Sequence, residues 1–352
     1  MTREALLSVQ ELVVRFRTSR GSVYAVNGVS FDVGRGETLG LVGESGSGKS
    51  VTSLAIMGLL PRPAGRIHSG TILFEGRNLV GLPESELRRI RGKEISMVFQ
   101  DPMSSLNPVL TIGEQVGETI RAHTDLDRSA ARTRTAEILG SVGIPRPEAQ
   151  LGRYPHQFSG GMRQRVMIAM ALALEPRLLI ADEPTTALDV TIQAQVLELL
   201  RDMTVRTATS LVLISHDLGI MARMAHRIVI MYAGSVMESG PTVELFAHPR
   251  HPYTVGLLNA APRIDDRGEA LRPIEGAPPD LEESPTGCPF APRCRWRVEQ
   301  CWTEAPSLRS FGSDQLVACH NPVTPEEIAG ARPLRPGFEA APPPGAAVEV
   351  GP

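Results

Sequence analysis

The sequence has no hydrophobic run long enough to cross a bilayer. A spanning helix needs about 18–20 consecutive apolar residues, and the longest candidate, from Val166 to Leu174, reaches about half of that. The opening Met1-Thr2-Arg3-Glu4 is not followed by the apolar stretch of a secretory signal. These absences predict a cytosolic chain; if it works at a membrane, other subunits must supply the spans. An excess of positive charge is missing too. Among 352 residues, 36 Lys and Arg face 39 Asp and Glu, for a formal net charge of −3, and the pI is about 6.3. Nucleic-acid binders show a basic stripe or a high pI, so the balance argues against a DNA or RNA partner. Cysteine is scarce, with four residues confined to Cys288–Cys319. There is no internal repeat.

What remains can build a sizeable core. Hydrophobic residues make up 42% of the chain, and the length suits one large domain or a domain with an appendage. Alternating apolar residues predict strands at 12–16 and 23–26, joined by a turn near Ser19-Arg20-Gly21. Short apolar runs at 38–42, 178–181 and 211–215 read as buried strands. A helix is expected from about Lys49 to Leu60, ended by Pro61. The stretch from roughly Thr111 to Leu174 has a helical pattern broken by Pro145, Pro147 and Pro155, and looks like an insertion between two sheet strands. Strands alternating with helices predict an α/β fold with a mostly parallel sheet. Composition turns proline-rich near residue 247, and from Arg332 the Pro/Ala/Gly-rich tail is expected to be disordered.

The chemistry begins at Gly43-Glu44-Ser45-Gly46-Ser47-Gly48-Lys49-Ser50, which fits the phosphate-loop pattern G-x-x-x-x-G-K-[ST]. Small residues let the backbone curl so that its N–H groups face phosphate oxygens. Lys49 supplies a point charge for the outer phosphates, the Ser50 hydroxyl can ligate Mg²⁺, and the following helix, opening with Val51, adds its positive end. An apolar strand before the loop and a helix after it make nucleotide binding the reading. The run 178–181 ends in Asp182-Glu183. The first acid is placed to hold Mg²⁺ and the second to act as general base on water. Ser159-Gly160-Gly161 opens another helix, either as a plain N-cap or as a second anion site.

In order, the phosphate loop, Gln100, Ser159-Gly160-Gly161, Asp182-Glu183, Ala187-Leu188-Asp189 and His216 resemble an ABC ATPase over residues 5–245. The resemblance implies a P-loop NTPase fold with a mixed sheet core, a helical subdomain at about 105–175 within an ATPase domain 5–247, and a small Cys-rich extension 248–331 before a tail 332–352. It implies that Phe16, with Tyr24 as the weaker candidate, stacks on adenine. Gln100 would sense Mg²⁺ and the γ-phosphate and link to membrane subunits. Asp182 would hold Mg²⁺ with Ser50 and Gln100, Glu183 would be the base, and His216 would contact the γ-phosphate. Two such domains pair head to tail, so Ser159, Gly160, Gly161 and Asp189 would complete the site of the opposing subunit. The segment begins Phe-Ser-Gly-Gly-Met where the family commonly has Leu-Ser-Gly-Gly-Gln; the serine and both glycines are kept.

Gln100-Asp101-Pro102-Met103-Ser104-Ser105-Leu106-Asn107-Pro108, His251-Pro252-Tyr253-Thr254 and Gly287-Cys288-Pro289-Phe290-Ala291-Pro292-Arg293-Cys294 resemble the dipeptide/oligopeptide/nickel importer ATPases, D-type. That resemblance implies a second ATPase subunit (a homologous F-type chain or another copy), two transmembrane permeases, an extracytoplasmic binding protein and a place on the cytoplasmic face of the membrane. Peptides are the favoured cargo; nickel chelates, glutathione and sugars are the alternatives. The cysteines Cys288, Cys294, Cys301 and Cys319 are spaced C-x5-C-x6-C-x17-C. Four thiolates can hold an iron–sulfur cluster or zinc. Structural zinc usually brings tight cysteine pairs, and none occurs. The irregular spacing and the resemblance favour a [4Fe–4S] cluster with a structural role, with Zn²⁺ and free or disulfide-bonded cysteines as alternatives. His320 could replace one ligand.

Overall fold

A computed structural model of the chain describes residues 5–19, 21–101, 105–186, 188–260, 273–282, 286–312, 314–324 and 327. Pro102, Met103, Ser104 and Ala187 from the motifs above, and the tail 332–352, lie outside the described residues. Two compact bodies are formed, one from residues 1–81 with 213–352 and the other from residues 82–212.

The first body opens with a long antiparallel hairpin. Ala5–Thr18 pairs with Gly21–Gly34, with Thr18 opposite Gly21, so the turn falls where the sequence predicts it. The strands run past the predicted 12–16 and 23–26 because the apolar alternation resumes on both sides of a register shift between Val9 and Leu12: Leu7, Val9, Leu12 and Val14 are all buried. Gly65–Phe74 joins the other side of Ala5–Thr18, and Arg77–Asn78 completes this antiparallel sheet.

The same body holds a mixed sheet. Thr38–Val42 lies parallel to Arg227–Tyr232, which pairs antiparallel with Ser235–Pro241. The C-terminal strands Gln315–Val317 and Arg309–Phe311 then extend that sheet antiparallel beyond Ser235–Pro241. Leu39, Leu41, Val42 and Ile228 to Ile230 are all buried, as expected of strands covered on both faces. The helix after the phosphate loop spans Lys49–Ile56 and stops short of the predicted Leu60. Gly58 takes a left-handed φ of +62°, and the Gly58 and Leu59 N–H groups turn back onto the Ala55 and Leu54 carbonyls. Glycine at a helix end adopts that conformation without a Cβ penalty, so it stops the helix before Pro61 is reached.

In the second body, strand Ile95–Val98 lies parallel to Leu178–Asp182, and the helical stretch intervenes between them in the chain. Its longer helices are Ile112–His123, Arg128–Ser141 and Gly160–Leu172. Each start is capped by a side chain that the sequence supplies at the right place. The Thr111 hydroxyl accepts from Glu114 N while Glu114 reaches back to Thr111, Asp127 accepts from Ala130 N, and Ser159 accepts from Met162 N. Helix Val190–Arg206 follows, capped by Asp189.

Candidate active site

The phosphate loop joins strand Thr38–Val42 to helix Lys49–Ile56. Gly46 and Gly48 have φ of +79° and +99°, a region that glycine alone enters freely. Close approach also demands glycine here. A Cβ on Gly43 would lie 2.1 Å from the Met231 carbonyl oxygen, and one on Gly48 would lie 2.6 Å from the Ala25 carbonyl oxygen. The curl turns inward on Lys49, which is 5% exposed. Its Nζ donates to the carbonyls of Gly43 (2.7 Å) and Glu44 (2.9 Å) and to Ser47 Oγ (3.1 Å). Ser47 is anchored in turn: its carbonyl accepts from Gly234 N at 3.0 Å. Ser45 and Gly46 form the exposed tip, and Ser50 and Val51 are half-buried. Helix Lys49–Ile56 begins at Gly48 with no side-chain cap, which leaves its positive end for an anion.

In the second body the strand Leu178–Asp182 delivers its acids as expected. Asp182 is 5% exposed at the strand end, and Glu183 follows in the left-handed region at φ +45°. A bulky residue is costly there, and such outliers gather at functional sites. Glu183 Oε2 accepts from Gln100 Nε2 at 3.1 Å and from the Thr186 hydroxyl at 2.8 Å. The structure therefore brings together two predicted site residues that stand 83 positions apart. Thr186 was not anticipated; its place three residues after the acid is the local signal that it could reach back.

Phe16 is half-buried on Ala5–Thr18 opposite Gly65. A Cβ on that glycine would come within 2.7 Å of the Phe16 ring, so the missing side chain makes room for the aromatic. Tyr24 is engaged elsewhere, with the Arg15 guanidinium 4.7 Å from its ring centroid. His216 is exposed just after strand Ser210–Ile214. Ser159 and Asp189 each cap their own helix and are exposed, as is Gly160.

The neighbourhood of Glu44 was also not anticipated. Its backbone N–H donates to the Tyr253 hydroxyl at 2.9 Å, and its carboxylate takes a forked contact from Arg293, at 2.7 and 3.2 Å. Both partners sit in the motifs His251-Pro252-Tyr253-Thr254 and Gly287 to Cys294, which the sequence marks only as resemblance. Burial works against the Arg293 charge, but Glu44 and the Tyr232 hydroxyl outweigh it and hold its pKa above the ordinary arginine range.

The cysteines require a correction. Among the described residues, no group of three or more His, Cys, Asp or Glu is placed to hold a metal ion. The expected [4Fe–4S] cluster and its Zn²⁺ alternative at Cys288, Cys294, Cys301 and Cys319 are therefore withdrawn, and the residues are free thiols. Burial pushes the Cys288 thiol up to about 11 and Cys319 up to about 12, and raises Cys294. That is opposite to the depression that makes a thiolate ligand. His320, the possible substitute ligand, is 2.9 Å from the Glu304 carbonyl through Nε2.

Comparison with known proteins fits this geometry. The ABC transporter family pattern matches residues 26–186, and the C-terminal region of oligopeptide/dipeptide transporters matches residues 237–301. The dipeptide transport ATP-binding protein DppD of Bacillus subtilis (strain 168) is 55% identical over 316 residues, which cover 90% of this chain and 94% of that protein. The oligopeptide transport ATP-binding protein OppD of the same organism is 52% identical over 304 residues, covering 86% and 85%. Among solved structures, the dimeric post-hydrolysis state of the ATP-binding cassette MJ0796 bound to ADP and Pi aligns with a TM-score of 0.60 and 28% identity, over 67% of this chain and 98% of that one. The chain belongs to the ABC transporter ATPase family. Within it, the chain carries the C-terminal region of the oligopeptide/dipeptide transporters.

Proposed function

We propose that this chain energises the import of di- or oligopeptides, acting as the peripheral ATPase at the cytoplasmic face of a membrane whose spans come from two permease subunits. A second ATPase, a homologue or another copy of this chain, pairs with it, and an extracytoplasmic protein delivers the peptide. The observation that carries this reading is the joining of a folded phosphate loop and a peptide-transporter C-terminal region in one chain, at more than half identity to a dipeptide transport protein along 90% of its length. No helix among the described residues is long and apolar enough to cross a membrane. Residues 5–247 form the ATPase domain and 248–331 the extension.

In this reading Lys49, Ser50 and the loop amides from Gly43 to Ser50 hold the phosphates of ATP, and Phe16 stacks on the adenine. The donor set suits Mg²⁺: the Ser50 hydroxyl, the Gln100 amide oxygen and the Asp182 carboxylate are the hard oxygen ligands this ion prefers. When bound, the ion offsets charge on the phosphates. Glu183, held by Gln100 and Thr186, takes the proton from the attacking water. His216 contacts the γ-phosphate, and Ser159, Gly160, Gly161 and Asp189 complete the site of the paired subunit. Closure of the pair on ATP pulls on the permeases through the segment after Gln100, and phosphate release reopens it.

The test uses the chain assembled with its partner subunits. Glu183→Gln is expected to lower ATP turnover by about 100-fold or more while ATP still binds, and to stop uptake of a labelled dipeptide. Normal turnover in that variant sinks the base assignment. Unchanged dipeptide uptake in cells lacking the chain sinks the cargo assignment.

A further inference from the structure

We propose that Tyr253 and Arg293 are positioning residues of the phosphate loop. Together they fix the Glu44 backbone that seats Lys49, and so set the affinity for ATP from outside the loop. The proposal rests on the loop's role in holding ATP phosphates.

Glu44 is held at three points. Its N–H donates to Tyr253 Oη, its carbonyl accepts from Lys49 Nζ, and its carboxylate accepts both arms of Arg293. The N–H and the carbonyl belong to the two peptide units on either side of its Cα, so the Tyr253 and Lys49 bonds limit how either unit can rotate. Lys49 also binds the carbonyl of Gly43, which belongs to the same peptide unit as the Glu44 N–H. The hydroxyl that holds one side of this unit and the ammonium held by the other side are therefore coupled through a single rigid plane.

The two anchors are themselves held by packing and hydrogen bonds. Tyr253 is fully buried, and its ring packs against Tyr232 and Phe290 at centroid separations of 4.7 and 5.2 Å. Its backbone N–H donates to His251 Nδ1 at 3.0 Å. Arg293 spends every donor it has. Nε binds the Glu275 carbonyl, Nη1 binds Glu44 and Tyr232 Oη, and Nη2 binds Glu44 and the Ile274 carbonyl. A guanidinium carries five N–H groups in a rigid fork, and five acceptors meet them here. Such a fork transmits position in a way that a lysine, with one compact head, does not. Both anchors end on the second residue of the loop, beside the carbonyls that receive Lys49.

The test measures the ATP dissociation constant of the full chain, and kcat and KM in the assembled complex, for Tyr253→Phe, Arg293→Met, Arg293→Lys and Glu44→Gln. Tyr253→Phe keeps the aromatic packing and removes one hydroxyl. Loss of either anchor is expected to weaken ATP binding by about tenfold, the scale of one hydrogen bond, with kcat at saturating ATP within about twofold. Arg293→Lys is expected to recover only part of the affinity, and Glu44→Gln combined with Arg293→Met to be no weaker than the worse single variant, since both act through one contact. Should Arg293→Met fail to fold, Tyr253→Phe and Arg293→Lys carry the test. ATP affinity unchanged within about twofold in Tyr253→Phe and Arg293→Lys, or Glu44 and Arg293 effects that multiply independently, overturns the proposal. Lys49→Ala separates the two levels. If it leaves ATP binding intact, the reading of the loop fails; if it abolishes binding while the anchor variants bind normally, the anchoring proposal alone fails.

Discussion

Two glycine-bearing segments, Gly43–Ser50 and Ser159–Gly161, are both read as phosphate contacts, yet the fold treats them in opposite ways. The first is packed from behind: its lysine is buried, two of its glycines crowd carbonyl oxygens, Tyr253 and Gly234 hold its backbone, and Arg293 holds the Glu44 carboxylate. The second is exposed at Ser159 and Gly160, and its glycines open an ordinary helix without left-handed backbone. A Cβ on Gly161 would come within 2.6 Å of Ile192 Cγ2, the end of a side chain, whereas one on Gly160 would make ordinary contact with Leu188 at 3.4 Å. In the first segment glycine is required by the chain's own fold. In the second, at Gly160, the fold has no evident need of it, which suits a surface kept bare for something brought by another subunit.

Four predictions bear on this contrast, ordered by effect on stability. Gly48→Ala places a methyl against the Ala25 carbonyl in a left-handed backbone. It is expected to cost about 3–4 kcal/mol and abolish ATP binding, measured by denaturant unfolding and calorimetry. A mild cost with intact binding would show that the first segment is less locked than described.

The support behind the loop has its own pH signature. Glu238 is fully buried, and burial raises its carboxyl to about 7 from 4.5. It accepts from Arg250 N, His251 N and Gln315 Nε2. Because the folded state binds that proton more tightly, the stabilisation is full below pH 4.5 and is lost as pH rises to about 7. His251 has the opposite slope. Burial lowers it to about 3 from 6.5, so its contribution is full above pH 6.5 and is lost as pH falls toward 3. Glu238→Gln leaves the histidine slope alone. The variant should therefore gain on the parent by up to about 3 kcal/mol between pH 4.5 and 7, read as the difference in unfolding free energy across that range. A difference that does not change with pH contradicts this.

Ser159→Ala removes a helix cap and is expected to cost about 1 kcal/mol. ATP affinity of the chain alone should stay put, while turnover of the paired subunits falls. A loss of affinity in the unpaired chain would erase the distinction between the segments. Gly160→Ala is the finest probe, expected to change stability by less than about 1 kcal/mol in either direction while still lowering paired turnover. Unaltered turnover would show that the second segment has no close visitor.

The difference between the segments also explains what the sequence could and could not reveal. The phosphate loop was legible because its determinants are local: strand, glycines, lysine and helix follow one another within a dozen or so positions. Glu183 was legible as an acid at a strand end, but its left-handed φ and its grip by Thr186 were not, because no residue type there announces them. The Arg293–Glu44 pair spans 249 positions, and nothing in local composition couples two such points. The helix after the loop ends earlier than Pro61 suggests because Gly58 acts first, and a glycine's left-handed backbone is not written in its residue type. The fate of the cysteines was not legible because spacing along the chain carries no information about separation in space or about burial, and here burial raises the Cys288, Cys294 and Cys319 thiols.

The pairing of Gln315–Val317 with Ser235–Pro241 has a consequence for where this chain can be cut. Residue 247 looks like a seam by composition, yet removing everything beyond it would strip Ser235–Pro241 of its outer neighbour and leave a row of unpaired main-chain groups. Open sheet edges of that kind recruit strands from other molecules. Glu238 would lose its Arg250, His251 and Gln315 donors in the same step. A shortened chain is therefore expected to self-associate into insoluble material.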